Sequence, residues 1–351
     1  MITIQDHSST FDEDLTELLT TAPVEITNQT TGSSMTSSSS RGVGLYFQCA
    51  VVVIGFAGAV ANGLILYAMI ASGQHKKQVL IFNQNLLDFV TSFFLFTTQA
   101  VKLCNISLSG TRGYLLCVTV LSEVFALGPF VSSLINLAAI TIERYLKVVH
   151  HVWAKNNLRK WMIYSVIPFA WVGGNAIVWG WTIHTTAVVN GVCYTLIFWK
   201  SRTAQLAFII WYHLSFYVGL FLLFLFCYGR ILFTIRRQAS VMAGHGGPLG
   251  SNTAQAQSKQ LQLKIIKTMV LVSLLYLILW SPAYIFNLLM NIHTKLTVRE
   301  VGFHIIVVIG FFYNILNPFI YATNFDPVKR VLLHLIPWKR SLQPHESIEM
   351  T

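Results

Sequence analysis

Charge is what this chain lacks most. Asp, Glu, Lys and Arg make up 11% of its 351 residues, against about 25% in soluble globular domains. Hydrophobic residues make up 54%, and an ordinary soluble domain is excluded on these two figures. The first 40 residues have no Lys or Arg and six acids: Asp6, Asp12, Glu13, Asp14, Glu17 and Glu25. They also lack an apolar run, so no cleavable signal peptide is expected and the first apolar segment should serve as signal anchor. Of five cysteines, none lies in the C-terminal tail, which excludes palmitoyl anchoring there. The apolar segments hold no His-Glu-x-x-His and no paired acids, which argues against an intramembrane enzyme. No inverted repeat is visible, and the odd span count fits a transporter or channel poorly.

What the chain does have is seven apolar runs, near residues 46–70, 79–101, 114–142, 161–182, 205–234, 265–290 and 301–321. Each approaches the roughly 20 residues that cross a bilayer core as a helix. The expected fold is an all-α membrane protein, a seven-transmembrane helix bundle. The net charge of +11 follows topology rather than nucleic-acid binding. Of 24 Lys and Arg, 17 fall on one side of the spans, among them Lys76, Lys77, Arg144, Lys147, Arg236 and Arg237. Positive loops stay cytoplasmic, so the N-terminus is expected outside and the C-terminus inside, with anionic lipid meeting the basic face. Sequons at Asn28 and Asn105 fall on the expected outer side.

The chain divides into an extracellular, glycosylated and disordered tail (1–44), the bundle (45–322), an amphipathic interfacial helix (323–337) and a short cytoplasmic tail (338–351). The tail's Ser and Thr content favours disorder. In 323–337, Phe325, Val328, Leu332 and Leu335 recur at helical spacing opposite Lys329 and Arg330, the pattern of a helix lying in the interface.

Polar residues inside spans are expensive and tend to be functional. They are Asn62, Asp88, Ser133, Asn136, Asn314 and Asn317. Pro282, two residues after Trp280, and Pro318, directly after Asn317, each remove a backbone donor and kink their spans. With Glu143-Arg144-Tyr145 at the end of span three, Trp171, Tyr228, Trp280-Ser281-Pro282 and Asn317-Pro318-Phe319-Ile320-Tyr321, every span carries one motif in order. The chain resembles the rhodopsin-like (class A) G-protein-coupled receptors, most of all their peptide-type members, over about 46–336.

The resemblance implies a Cys117–Cys193 disulfide on the oxidising side; a second bond between Cys49 and Cys104 stays open. It implies a sodium pocket of Asp88, Ser133, Asn314 and Asn317, with a hydrogen-bonded cluster without an ion as the alternative; no other cofactor or metal is expected. It assigns the G-protein switch to Glu143, Arg144, Tyr145, Tyr228, Asn317, Pro318 and Tyr321, and the hinge to Trp280 and Pro282. The partners implied are an extracellular ligand, a heterotrimeric G protein, arrestin and a receptor kinase, at the plasma membrane and with no catalysis.

The ligand pocket is expected from Glu123, Ala126, His213, Trp280, Tyr284, Asn287 and Phe311. Ala126 stands where amine receptors carry Asp, which argues against a monoamine, and Phe311 stands where opsins carry the retinal-linking Lys, which excludes a Schiff-base opsin. A peptide is the expected ligand, with a non-amine small molecule or a lipid as the alternative. Four departures stand out. Two extra residues separate Cys117 from Arg144, to be absorbed by a bulge near Pro129. Leu220 replaces the span-five Pro, and Tyr276 replaces a Phe. Gln262 replaces an acid that would restrain Arg144, which leaves Glu143 and nearby polar groups and predicts raised basal activity.

Overall fold

In the computed structural model, residues 36–104, 106–195, 199, 201–244, 253–292 and 300–335 are described. The chain divides into a unit ending at Arg41 and a compact unit beginning at Gly42; the second holds the seven spans. Seven helices are long and apolar enough to cross a membrane: Gly44–Ala71, Val79–Leu103, Gly110–Val149, Lys160–Thr185, Arg202–Gln238, Gln262–Ile292 and Val301–Asn324. They are spans one to seven, and they match the seven runs expected from the sequence. Asn28, Asn105 and the tail at 338–351 lie outside the described residues. A last helix, Asp326–Leu335, buries Phe325 just before its start and Val328 within it, with Val331 and Leu332 against the bundle core. Lys329 and Arg330 are exposed.

Span three departs from the expected geometry. The break is not at Pro129, which sits inside the regular helix Val124–Val149. It lies on the N-terminal side of that helix, where a π turn covers Cys117–Leu121 and Glu123 adopts a left-handed φ of 63°. The Ser122 N–H reaches back five residues to the Cys117 carbonyl at 2.9 Å. A π turn takes in an extra residue, and Cys117 is held from outside by its disulfide, so the surplus is taken up next to that fixed point.

The hold on Cys117 has a local cause. Strands β1 (Ala187–Val189) and β2 (Val192–Tyr194) form an antiparallel hairpin. Its two turn residues, Asn190 and Gly191, have φ of 52° and 75°. Asn-Gly is the favoured pair where both central residues need positive φ. The hairpin carries Cys193 to Cys117, and the two are disulfide-bonded with Cα atoms 5.4 Å apart. Cys49 and Cys104 are each free and exposed, so no second bond forms between them; Cys227 is free and buried.

Spans three and four pack closely because their contact residues are small. A Cβ added at Gly174 would lie 2.2 Å from Ser132 Oγ, so only glycine allows this approach, as is common where helices meet without a hydrophobic driving force. Span five, with Leu220 in place of proline, carries its own π turn at Leu214–Val218. Large apolar side chains such as Phe169, Val172, Leu225 and Ile278 are exposed, the surface a lipid-facing helix presents.

Candidate functional site

Two sites occupy the two ends of the bundle, joined by a buried polar core. At one end lies a cavity of about 330 Å³ lined by residues of spans three to seven, with Trp199 from the loop before span five. Six of the seven expected residues line it: Glu123, His213, Trp280, Tyr284, Asn287 and Phe311. Ala126 does not. It is buried in a cluster with Val51, Ile54, Leu95 and Phe311. Ala126 lies in the same regular helix as Arg144, Val124–Val149, and the face of that helix toward the cavity carries Leu127 and Phe130 instead.

Trp280 sits between Phe130 and Phe311, with ring centroids 4.8 Å and 5.7 Å away. Its indole nitrogen is buried with no hydrogen-bond partner. Glu123 Oε1 accepts from Lys102 Nζ at 2.5 Å and Gln99 Nε2 at 2.7 Å. His213 places Nδ1 2.7 Å from the Ile209 carbonyl and Nε2 2.9 Å from the Tyr284 carbonyl, so its ring bridges spans five and six. The sequence reading missed Trp181, Phe208 and Tyr212 on the wall; aromatics are so common in these spans that nothing in the sequence marks them out.

In the polar core, Asp88 is buried. Its Oδ1 accepts from Ser133 Oγ at 2.8 Å and is approached by Gln84 Nε2 at 3.4 Å, and its Oδ2 accepts from Asn317 Nδ2 at 3.0 Å. Gln84 also donates to Ser133 and accepts from Asn136 Nδ2 at 2.8 Å. Asn83 donates to Asn136 Oδ1 at 3.0 Å and accepts from Trp171 Nε1 at 3.0 Å. Each member bonds another, although Asn317 Oδ1 is left without a partner; such linking is how a buried polar network keeps one arrangement. Gln84 was overlooked in the sequence, although it lies four residues before Asp88, on the same helix face.

Asn314 is buried, but its side chain makes no hydrogen bond; its backbone carbonyl accepts from Asn62 Nδ2 at 3.0 Å. The Oδ1 atoms of Asn314 and Asn317 are both buried and unpartnered. Of the four residues expected around a cation, Asp88, Ser133 and Asn317 are brought together by hydrogen bonds, and oxygen donors are the kind hard cations accept. No cluster of three or more His, Cys, Asp or Glu suited to a metal occurs among the described residues.

At the other end, Glu143 and Arg144 are both largely buried. Arg144 Nη2 lies 3.3 Å from Glu143 Oε2, an ionic contact, and donates to Gln78 Oε1 at 2.7 Å. Glu143 Oε1 pairs with Lys147 one helical turn on. Gln78, at the start of span two, is the restraint the sequence reading did not name. Gln262 is exposed. Tyr145 contacts His150 Nε2 at 3.1 Å. Tyr228 bridges Thr141 Oγ1 at 3.0 Å and Ser273 Oγ at 3.1 Å. Tyr321 is buried beside Phe325 with its hydroxyl unpartnered. Pro282 and Pro318 lie inside their helices. Ser281 Oγ donates to the Ile278 carbonyl that Pro282 leaves free, at 3.1 Å.

Similarity searches agree with this architecture. The C-C chemokine receptor type 8 of Mus musculus is 25% identical over 303 residues, 84% of this chain and 80% of that protein. The probable G-protein coupled receptor 33 of Pan paniscus is 24% identical over 312 residues, covering 84% and 87%. The crystal structure of squid rhodopsin superposes with a TM-score of 0.64 at 18% identity, covering 86% of this chain and 87% of that one; it supports the fold. Residues 61–321 match the family described as 7 transmembrane receptor (rhodopsin family), so the chain belongs to the rhodopsin family of seven-transmembrane receptors.

Proposed function

We propose that this receptor sits in the plasma membrane with its N-terminus outside. Its cavity takes an extracellular ligand, and its inner face promotes nucleotide exchange on a heterotrimeric G protein. The observation that carries the proposal is a single helix, span six. It places Trp280 in the cavity and, further along, Ser273 against Tyr228. A ligand that binds better when span six has moved shifts the population toward that state. Arg144, released from Glu143 and Gln78, then becomes available at the inner face. Arrestin and a receptor kinase would use the same face, and anionic lipid would meet Lys329 and Arg330.

A peptide remains the proposed ligand, supported by the name of the mouse chemokine-receptor relative. A cavity of about 330 Å³ also favours a second reading, a small molecule, because it falls at the small end of the range for such pockets. The oxygens of Asp88, Ser133, Asn314 and Asn317 would hold a sodium ion, whose charge would favour the resting arrangement. The test is purified receptor in nanodiscs with added G protein. Accelerated exchange of GDP for GTP supports the proposal, and exchange no faster than with empty nanodiscs contradicts it.

A further inference from the structure

Glu123 holds three unusual positions at once. It is the sole acid lining the cavity among the described residues. It stands at positive φ between a π turn and a regular helix, a conformation that costs a non-glycine residue about 1–3 kcal/mol and persists only where its surroundings enforce it. Its carboxylate is only half used: Lys102 and Gln99 both bond Oε1, and Oε2 takes no hydrogen bond from the described residues. Lys102 reaches it from span two and does not line the cavity. Among the described residues, the wall therefore presents a carboxylate, no Lys or Arg, and aromatic side chains that include Trp181, Tyr212 and Trp280. Aromatic faces attract cations, and more strongly where water is displaced.

We infer that the cavity is an organic-cation site: the ligand carries an amine or guanidinium group that bonds Glu123, with its apolar body against the aromatic wall. The Lys102 ammonium occupies the resting site as an internal counter-ion, and the ligand's cation competes with it for the same carboxylate. This rests on the proposed receptor function and sharpens the ligand class. A peptide with a free or basic N-terminal residue and a small amine both satisfy it; a lipid acid does not.

The test uses full-length receptor in nanodiscs and two probes of opposite charge, phenethylammonium and 3-phenylpropanoate, followed by saturable change in tryptophan fluorescence. The cation should bind wild type. Lys102→Gln should tighten it, and Glu123→Gln should weaken it by about tenfold, the scale of one charged hydrogen bond. Lys102→Gln keeps the test decisive if Glu123→Gln fails to fold. Preference for the anion, equal cation affinity in wild type and Lys102→Gln, or no saturable binding of either probe overturns the inference. Nucleotide exchange measured on the same preparation judges the receptor function separately, so either can fail alone.

Discussion

The seam between spans five and six is built differently at its two ends. On the cavity side, the hydrogen bonds that cross it among the described residues include these four. Arg202 donates to the Asn291 carbonyl, Gln205 Nε2 to Asn291 Oδ1 at 3.1 Å, and Tyr276 to the Phe216 carbonyl at 2.6 Å, while His213 meets the Tyr284 carbonyl at 2.9 Å. Three of the four end on backbone carbonyls, which a rotamer change cannot move. Toward the inner end, one bond crosses among the described residues, Tyr228 to Ser273 at 3.1 Å, and it joins two hydroxyls that can rotate. On the proposed function, the outer seam would serve as a fixed axis and the inner seam as a latch, so that the pair opens from the inside.

The difference can be broken at several points. Arg144→Ala should have the largest effect: it should abolish G-protein nucleotide exchange while leaving surface expression near wild type, because Arg144 acts at the inner face and contributes no apolar core. Antibody labelling of intact cells beside an exchange assay checks this. Tyr276→Phe comes next. Tyr276 is fully buried and its hydroxyl meets both the Phe216 carbonyl and the Tyr284 hydroxyl, so the change leaves a buried carbonyl without its donor. A loss of about 1–3 kcal/mol is expected, seen as a lower unfolding temperature. Tyr228→Phe should cost less, about 0.5–1.5 kcal/mol, yet alter basal exchange more than Tyr276→Phe does. Should the two variants rank the other way in exchange, the assignment of axis and latch would be reversed. Gln78→Ala should have the smallest effect, raising basal exchange about twofold to tenfold, the scale of one hydrogen bond.

Much of this was legible in the sequence because a membrane imposes coarse rules. Seven apolar runs and the order of the motifs led to the bundle, and Asp88, Ser133 and Asn317 do meet, as their motif places implied. What stayed hidden depends on register. Ala126 was expected in the cavity, but on the regular helix Val124–Val149 it packs with Val51, Ile54 and Leu95; the π turn and the left-handed residue between Cys117 and Val124 leave no clear mark in composition either. The Asn190-Gly191 hairpin did carry a readable turn signal. Gln78 and Gln84 were hard to single out because a glutamine is neither charged nor a motif residue. Its partner decides its role, and the partner lies on another helix.

The axis-and-latch account is tested most directly by distances along the seam. Spin labels at Arg237 and Lys267 report the inner end, and labels at Thr203 and Ile292 the outer end; all four side chains are exposed. Pulsed electron resonance on receptor alone and on receptor bound to nucleotide-free G protein should show the inner distance lengthening by several ångströms with the outer distance unchanged. An outer distance that grows as much as the inner one, or an inner distance that does not change, would contradict the account.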